Sequence, residues 1–319
     1  MKPTVAVLMQ PGAIALLSAT LLAQAPPPPT PGVAKTLARP DLVLHYTDFG
    51  QGEPVLVLMG GPGMYGAPMT PVAQMIAKRA RAILPDQRGT GQSMPKDAGG
   101  LTMDATLADF EALRKDLGLQ QWFVLGNSWG GMVALDYAAK YPSSIKGLLL
   151  VGSGGASFGF AALYAQNRIP RMTADERAAA KYWAQPDVVA RDPDRAAIEN
   201  LRAISPSTLY DRTKIFDFIA YLTPGKEFYN PEAARLLAAD YDKGSSGREE
   251  ALRSVNIPAL ILTGRQDPVP ESVSLENHSL LKGSQLMWLD RCGHMPWLDQ
   301  PEAMEKAVFE FLFRAAPGR

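Results

Sequence analysis

Ser128 stands in Gly126-Asn127-Ser128-Trp129-Gly130-Gly131, directly after the apolar run Trp122 to Leu125 and just before the helical stretch Gly131 to Lys140. A serine on a tight turn between a buried strand and a helix is lifted above the sheet edge, where its hydroxyl can attack a carbonyl. Glycines at 126 and 130 let strand and helix approach closely at that turn. A serine of ordinary acidity needs a base, and the base needs a carboxylate to orient it. The chain has three histidines. His45 falls in the first apolar run and His278 in an exposed-looking stretch. His294, in Arg291-Cys292-Gly293-His294-Met295-Pro296, follows the last strand-like run and is the well-placed base. Asp267, in Gly264-Arg265-Gln266-Asp267-Pro268, follows the strand-like run Ala259 to Thr263 and is the candidate orienting carboxylate, although an Asp before Pro is also a frequent turn cap.

An acyl-transfer reaction needs backbone amides aimed at the developing oxyanion. Trp129, the residue after the serine, supplies one. The loop Gly60-Gly61-Pro62-Gly63 follows the apolar run Val55 to Met59, and Gly61 is assigned as the second donor. The same loop fits a rival pattern. Gly61-Pro62-Gly63-Met64-Tyr65-Gly66 matches G-x-G-x-x-G after a strand, and Asp86 follows at the spacing a dinucleotide fingerprint requires. Pro62 lacks an amide where a pyrophosphate would be cradled, and this alternative leaves Ser128, Asp267 and His294 without a role.

These residues need a scaffold. Apolar runs bounded by glycine and proline recur at Val55 to Met59, Ala82 to Leu84, Trp122 to Leu125, Leu148 to Val151, Leu260 to Leu262 and Leu286 to Leu289, as in buried strands of a mainly parallel sheet. Helical patterns at Pro71 to Arg79, Leu107 to Leu117, Gly131 to Lys140 and Pro301 to Phe313 alternate with them, which predicts helices on both sheet faces. Leu42 to Tyr46 reads as an added antiparallel strand. The alternation stops after Gly154 and resumes near Ile257. Residues 154–245 show only helical stretches, such as Ala174 to Trp183 and Pro231 to Tyr241, and read as an inserted helical cap between core segments 41–153 and 246–319. That cap is dense in Phe, Tyr and Trp, which either fill its own small core or line a pocket.

Composition narrows the partner. With 32 basic and 32 acidic residues the formal net charge is zero, so there is no electrostatic excess for phosphate backbones or anionic membranes. A small molecule or short peptide is the expected substrate. One cysteine and three histidines make a Cys/His metal cluster hard to assemble, and the proposed chemistry requires no cofactor. At the amino terminus Lys2 precedes the apolar stretch Ala13 to Leu22, and Ala23-Gln24-Ala25 supplies small residues for cleavage after Ala23 or Ala25. Residues 1–25 therefore read as an export signal, too short to leave a membrane span, and 26–40 as a proline-rich spacer.

The chain order Ser128, Asp267, His294, each after a successive late strand, is that of α/β-hydrolases. Within them, this sequence resembles the proline iminopeptidase family over roughly Leu42 to Val151 and Ile257 to Leu312. The likeness is carried by Gly60-Gly61-Pro62-Gly63, by Asp86-Gln87-Arg88-Gly89-Thr90-Gly91-Gln92-Ser93 and by Gly126-Asn127-Ser128-Trp129-Gly130-Gly131. It implies a nucleophile, orienting acid and base at Ser128, Asp267 and His294, beneath a helical cap. Two departures stand out: Met59 replaces the family's histidine before the glycines, and Tyr182-Trp183-Ala184-Gln185-Pro186 stands where a tryptophan-rich motif ending in glutamate is usual. An aminopeptidase must pair the substrate ammonium with buried carboxylates, for which Glu199 and Glu227 are the candidates. The expected function is an exported serine hydrolase of small amides or esters, aminopeptidase-like. A carboxylesterase with an aromatic-lined pocket is the alternative, and a catalytically silent ligand-binding relative the third possibility.

Overall fold

The computed structural model describes residues 31–220 and 228–314, so the amino-terminal leader and Glu227 lie outside the described residues. Eight strands form one sheet: β1 (Val33–Ala38), β2 (Val43–Gly50), β3 (Pro54–Leu58), β4 (Arg81–Pro85), β5 (Trp122–Asn127), β6 (Ile145–Val151), β7 (Ala259–Gly264) and β8 (Gln285–Leu289). Their order is β1-β2-β4-β3-β5-β6-β7-β8, with β2 antiparallel to both of its neighbours, β1 and β4, and every other pair parallel. The chain runs from β3 outward to β4 and then returns to place β5 on the other side of β3. At such a reversal the loops leaving two adjacent strands diverge and open a crevice at their carboxyl ends. Gly60 and Gly61 leave β3 there, and Ser128 leaves β5.

Alternation along each strand divides the core between two faces. Val55 and Val57 face one way, toward α1 (Thr70–Ala77) and the carboxyl-terminal helix, through Val72, Ile76, Val308 and Leu312. Leu56 and Leu58 face the other, with Phe110 of α2 (Met103–Asp116) and Met132 and Leu135 of α3 (Trp129–Lys140). Every residue of β5 is buried, as a central strand covered on both faces requires. Thr102 caps α2 by accepting the Ala105 amide.

Between β6 and β7 the described residues are helical: α4 (Ala161–Arg168), α5 (Ala174–Trp183), α6 (Pro186–Arg191), α7 (Pro193–Ile204), α8 (Ile215–Ile219), α9 (Pro231–Lys243) and α10 (Ser245–Ser254). Helices α11 (Glu271–Leu280), α12 (Pro296–Asp299) and α13 (Pro301–Arg314) complete the chain. Helix α9 leans on the core. Asn230 Nδ2 donates to Gly89 O, the Met103 amide donates to Asp240, and Tyr241 Oη donates to Gly155 O. The expected cap boundary at 245 therefore falls between two helices that both rest on the core.

One expectation is corrected. Residues 33–38, expected within a spacer, form β1 and pair with β2 from Val33↔Asp48 to Ala38↔Val43. Five of these six residues are exposed, so the strand is held by backbone pairing at the sheet edge and carries no apolar periodicity.

Candidate active site

The turn between β5 and α3 is as tight as its glycines suggest. A β carbon at Gly126 would lie 2.2 Å from Gly130 O, and one at Gly130 would lie 2.3 Å from Leu58 O. Ser128 itself sits at φ 53° and ψ −116°, a region costly for a non-glycine residue, and it is held there by bonds from its surroundings. Its amide donates to Val151 O, and its carbonyl accepts from the Gly131 and Gly154 amides.

His294 Nδ1 lies 2.9 and 3.0 Å from the two carboxylate oxygens of Asp267. The side chains are 7% and 1% exposed, so this pair works away from bulk water. With Nδ1–H donated to Asp267, the imidazole presents Nε2 as its free base. Asp267 also caps its own turn, Oδ1 accepting the Val269 amide at 2.8 Å, so both of its expected roles coexist. Ser128 and His294 line the same cavity, of about 110 Å³, with Gly60, Gly61, Tyr164 and Arg168. A larger hollow of about 700 Å³ lies at the surface between Arg79 and α13 and contains none of these residues.

Several residues that sequence reasoning did not single out hold this arrangement. Gly152, at φ +51°, follows β6 and lies against the His–Asp pair. A β carbon there would stand 2.9 Å from Asp267 Oδ2 and 3.2 Å from His294 Nδ1. Asn127 Nδ2 donates to Val151 O and to His294 O, tying the loop of His294 to β5 and β6. The cap grips that loop too: the His294 amide donates to Thr208 O at 2.7 Å. Asp299 accepts the amides of Gly293, Tyr210 and Asp211. Gly152, immediately after a strand, carried a faint signal in sequence; Asn127, Thr208 and Asp299 carried none.

On the oxyanion side, Trp129 is the first residue of α3, so its amide has no intrahelical acceptor. Gly61 adopts φ +74° and lines the cavity. A β carbon at the neighbouring Gly60 would lie 2.8 Å from Ser128 Cβ, so this loop runs against Ser128. Gln87 Nε2 braces it by donating to Met59 O at 2.9 Å. Arg88, buried, is clamped by Asp109 and Asp41. The motif Asp86 to Ser93 is thus a brace behind the site.

The same contacts remove the dinucleotide alternative. Asp86 accepts the Gly66 amide on one oxygen and the Gln92 amide on the other, joining two loops. Burial raises its carboxyl above the ordinary range, against those two bonds. Gly63 packs where a β carbon would lie 2.3 Å from Asn230 O, leaving no cradle for phosphate.

Two cap expectations change. Glu199 lies on α7, where Leu201 and Ile204 line the cavity, but its carboxylate pairs with Arg202 at 3.0 Å and is absent from the lining. The aromatic lining reduces, among the described residues, to Tyr164 and Phe218. Trp183 and Tyr182 meet edge to face outside the cavity lining, and Phe158 stacks on Trp129. Cys292 is a buried filler whose thiol is pushed up by burial and by the nearby Asp299 and Asp267 carboxylates, which suppress a thiolate. No cluster of three or more His, Cys, Asp or Glu able to hold a metal occurs among the described residues.

The chain's relatives agree with this architecture. Residues 53–301 match the family model for the alpha/beta hydrolase fold. The chain is 30% identical over 276 residues to a proline iminopeptidase of Lactobacillus crispatus, covering 81% of this chain and 89% of the relative. It is 26% identical over 274 residues to a 2-hydroxy-6-oxo-2,4-heptadienoate hydrolase of Pseudomonas putida, covering 83% and 91%. Among solved structures, a thermophilic esterase from Thermogutta terrifontis superposes with TM-score 0.67 at 24% identity, over 89% of this chain and 99% of that one. With the family model spanning strands β3 to β8, the elbow and the loop of His294, this chain belongs to the α/β-hydrolase fold family.

Proposed function

We propose that this protein is a serine hydrolase that cleaves a small acyl substrate through an acyl-enzyme. The observation that carries the proposal is the convergence of Ser128 and the Asp267-bonded His294 on one cavity. Ser128 Oγ attacks the acyl carbonyl as His294 Nε2 takes its proton. Asp267 keeps the ring in that tautomer and stabilises the cation that forms. The amides of Trp129 and Gly61 receive the oxyanion, where two fixed donors in a dry site lower the barrier most effectively. His294 returns the proton to the leaving group, then activates water to release the acyl group.

An ester is the better-supported substrate. A free ammonium in a buried site requires a carboxylate partner, and among the described residues no Asp or Glu lines the cavity. The second reading, an aminopeptidase, is favoured by the likeness to the Lactobacillus crispatus proline iminopeptidase. Hydrolysis of proline arylamide, its amino-blocked analogue and short acyl esters separates them. Esters should turn over with no requirement for a free amine, and a strict requirement for one would return the assignment to the aminopeptidase. Fluorophosphonate should label the protein, and Ser128→Ala should abolish both labelling and turnover; a folded wild type that resists labelling would point to a silent ligand-binding relative.

A further inference from the structure

We propose that Arg168 binds a carboxylate carried by the substrate, so that the enzyme is selective for anionic esters. This deepens the serine hydrolase reading and rests on it. Arg168 ends α4 and lines the same cavity as Ser128 and His294. Its guanidinium lies over the Tyr164 ring at 4.7 Å, and that ring is 6.0 Å from the imidazole of His294. The cation therefore stands one aromatic ring away from the base.

Nothing within the described residues neutralises it. Nε and Nη1 of Arg168 are both buried without a hydrogen-bond partner. A guanidinium offers five donors in a planar fork, and on this half-buried side chain two of the three nitrogens are shut away from water without an acceptor, which stacking on one ring does not replace. Tyr164 cannot serve as the counter-ion, because burial pushes its hydroxyl up to about 12 and keeps it neutral. Asp267 is committed to His294 and to the Val269 amide. The carboxyl end of α4 favours a cation only weakly, as a partial charge and not a counter-ion. The remaining walls are mostly apolar, among them Met64, Leu201, Ile204 and Phe218; Asn127, Ser205 and Thr208 are polar but uncharged. An unpaired planar donor in an apolar cavity matches a carboxylate, which accepts two parallel hydrogen bonds from it.

The test measures kcat and KM on two pairs of esters with the full chain. Monoethyl glutarate against ethyl valerate places the carboxylate in the acyl part. Butyryloxyacetate against ethyl butyrate places it on the alcohol side. In at least one pair the anionic ester should be preferred at least about tenfold in kcat/KM. Arg168→Met should remove that preference mainly through KM, with a loss at least about fivefold larger on the anionic than on the neutral ester of the pair. The preferred pair identifies which side of the scissile bond faces Arg168. No preference in either pair, or an equal loss on charged and neutral esters in the variant, overturns the proposal.

Calorimetric titration of Ser128→Ala protein with glutarate, with and without Arg168→Met, reads the anion site independently of turnover. Glutarate binding that needs Arg168 supports the site even if Ser128 proves not to be the nucleophile, whereas absent or unchanged binding counts against it. If Arg168→Met does not fold, Arg168→Lys replaces it. Retention of the charge without the fork should weaken glutarate several-fold, and unchanged binding in that variant rejects bidentate recognition.

Discussion

Gly152 and Asp267 are separated by the width of a missing methyl group: a β carbon on Gly152 would stand 2.9 Å from Asp267 Oδ2. Gly152 also holds φ +51°, which side-chain-bearing residues adopt at a cost of about 1 kcal/mol or more. Gly152→Ala should therefore leave the sheet intact while displacing the His–Asp pair. Turnover is expected to fall roughly 10- to 100-fold, since a displacement near 1 Å can cost that much. Steady-state kinetics beside far-ultraviolet circular dichroism checks it; unchanged kcat would show that the pair tolerates the shift.

Asp299 fastens the cap to the loop of the base through three amides, those of Gly293, Tyr210 and Asp211. Asp299→Asn turns one acceptor oxygen into a donor facing other donors. Expected outcomes are a loss of about 1–3 kcal/mol in stability and a larger fall in kcat than change in KM. Thermal unfolding and kinetics on a neutral ester read both. A variant with wild-type kcat would mean that the loop keeps its place without Asp299.

Glu111 gives the stability of the core an acid limit. Burial would raise its carboxyl, but hydrogen bonds from Arg114, Tyr137 and Ser144 outweigh that and hold it at about 2, below its ordinary 4.5. Because the folded state lowers the pKa, the stabilisation is complete above the ordinary value and is lost as pH falls from about 4.5 through 2. Glu111→Gln should cost at most about 3 kcal/mol at pH 7 and progressively less toward pH 2. Urea unfolding of both proteins across that range measures the difference; a gap independent of pH would assign the effect to packing.

Cys292 stands two residues before His294 and is fully buried. Cys292→Ala should retain turnover within about twofold, and should cost roughly 1–2 kcal/mol through the lost sulfur contacts. Activity and thermal unfolding test this, and a collapse of kcat with stability preserved would assign the thiol a role in the reaction.

Much of the fold was legible because its signals are local. Strands β3 to β7 are apolar runs closed by glycine or proline, as strands buried on both faces must be, while the run read as a buried strand at Leu286 to Leu289 belongs to the half-exposed edge strand β8. The elbow was legible for the same reason, since Gly126 and Gly130 answer a backbone collision that the motif encodes directly. Strand β1 was not, because an exposed edge strand needs only backbone bonds, and Val33–Ala38 carries no alternation to reveal it. Glu199 shows a further limit: a helical carboxylate has the same neighbours in sequence whether it faces a cavity or pairs with Arg202 one turn along.

The order of Ser128, Asp267 and His294, each placed after its own strand, is written in the residues, since turn glycines and apolar runs constrain the chain over a few positions at a time. The 2.9 Å contact between His294 and Asp267, the grip of Thr208 and Asp299 on the base's loop, and the unpaired Arg168 beside them arise only when segments tens of residues apart pack together. Reach and burial depend on that packing. Whether a cation is left half-buried without a counter-ion depends on such packing, and no local pattern of residues records it.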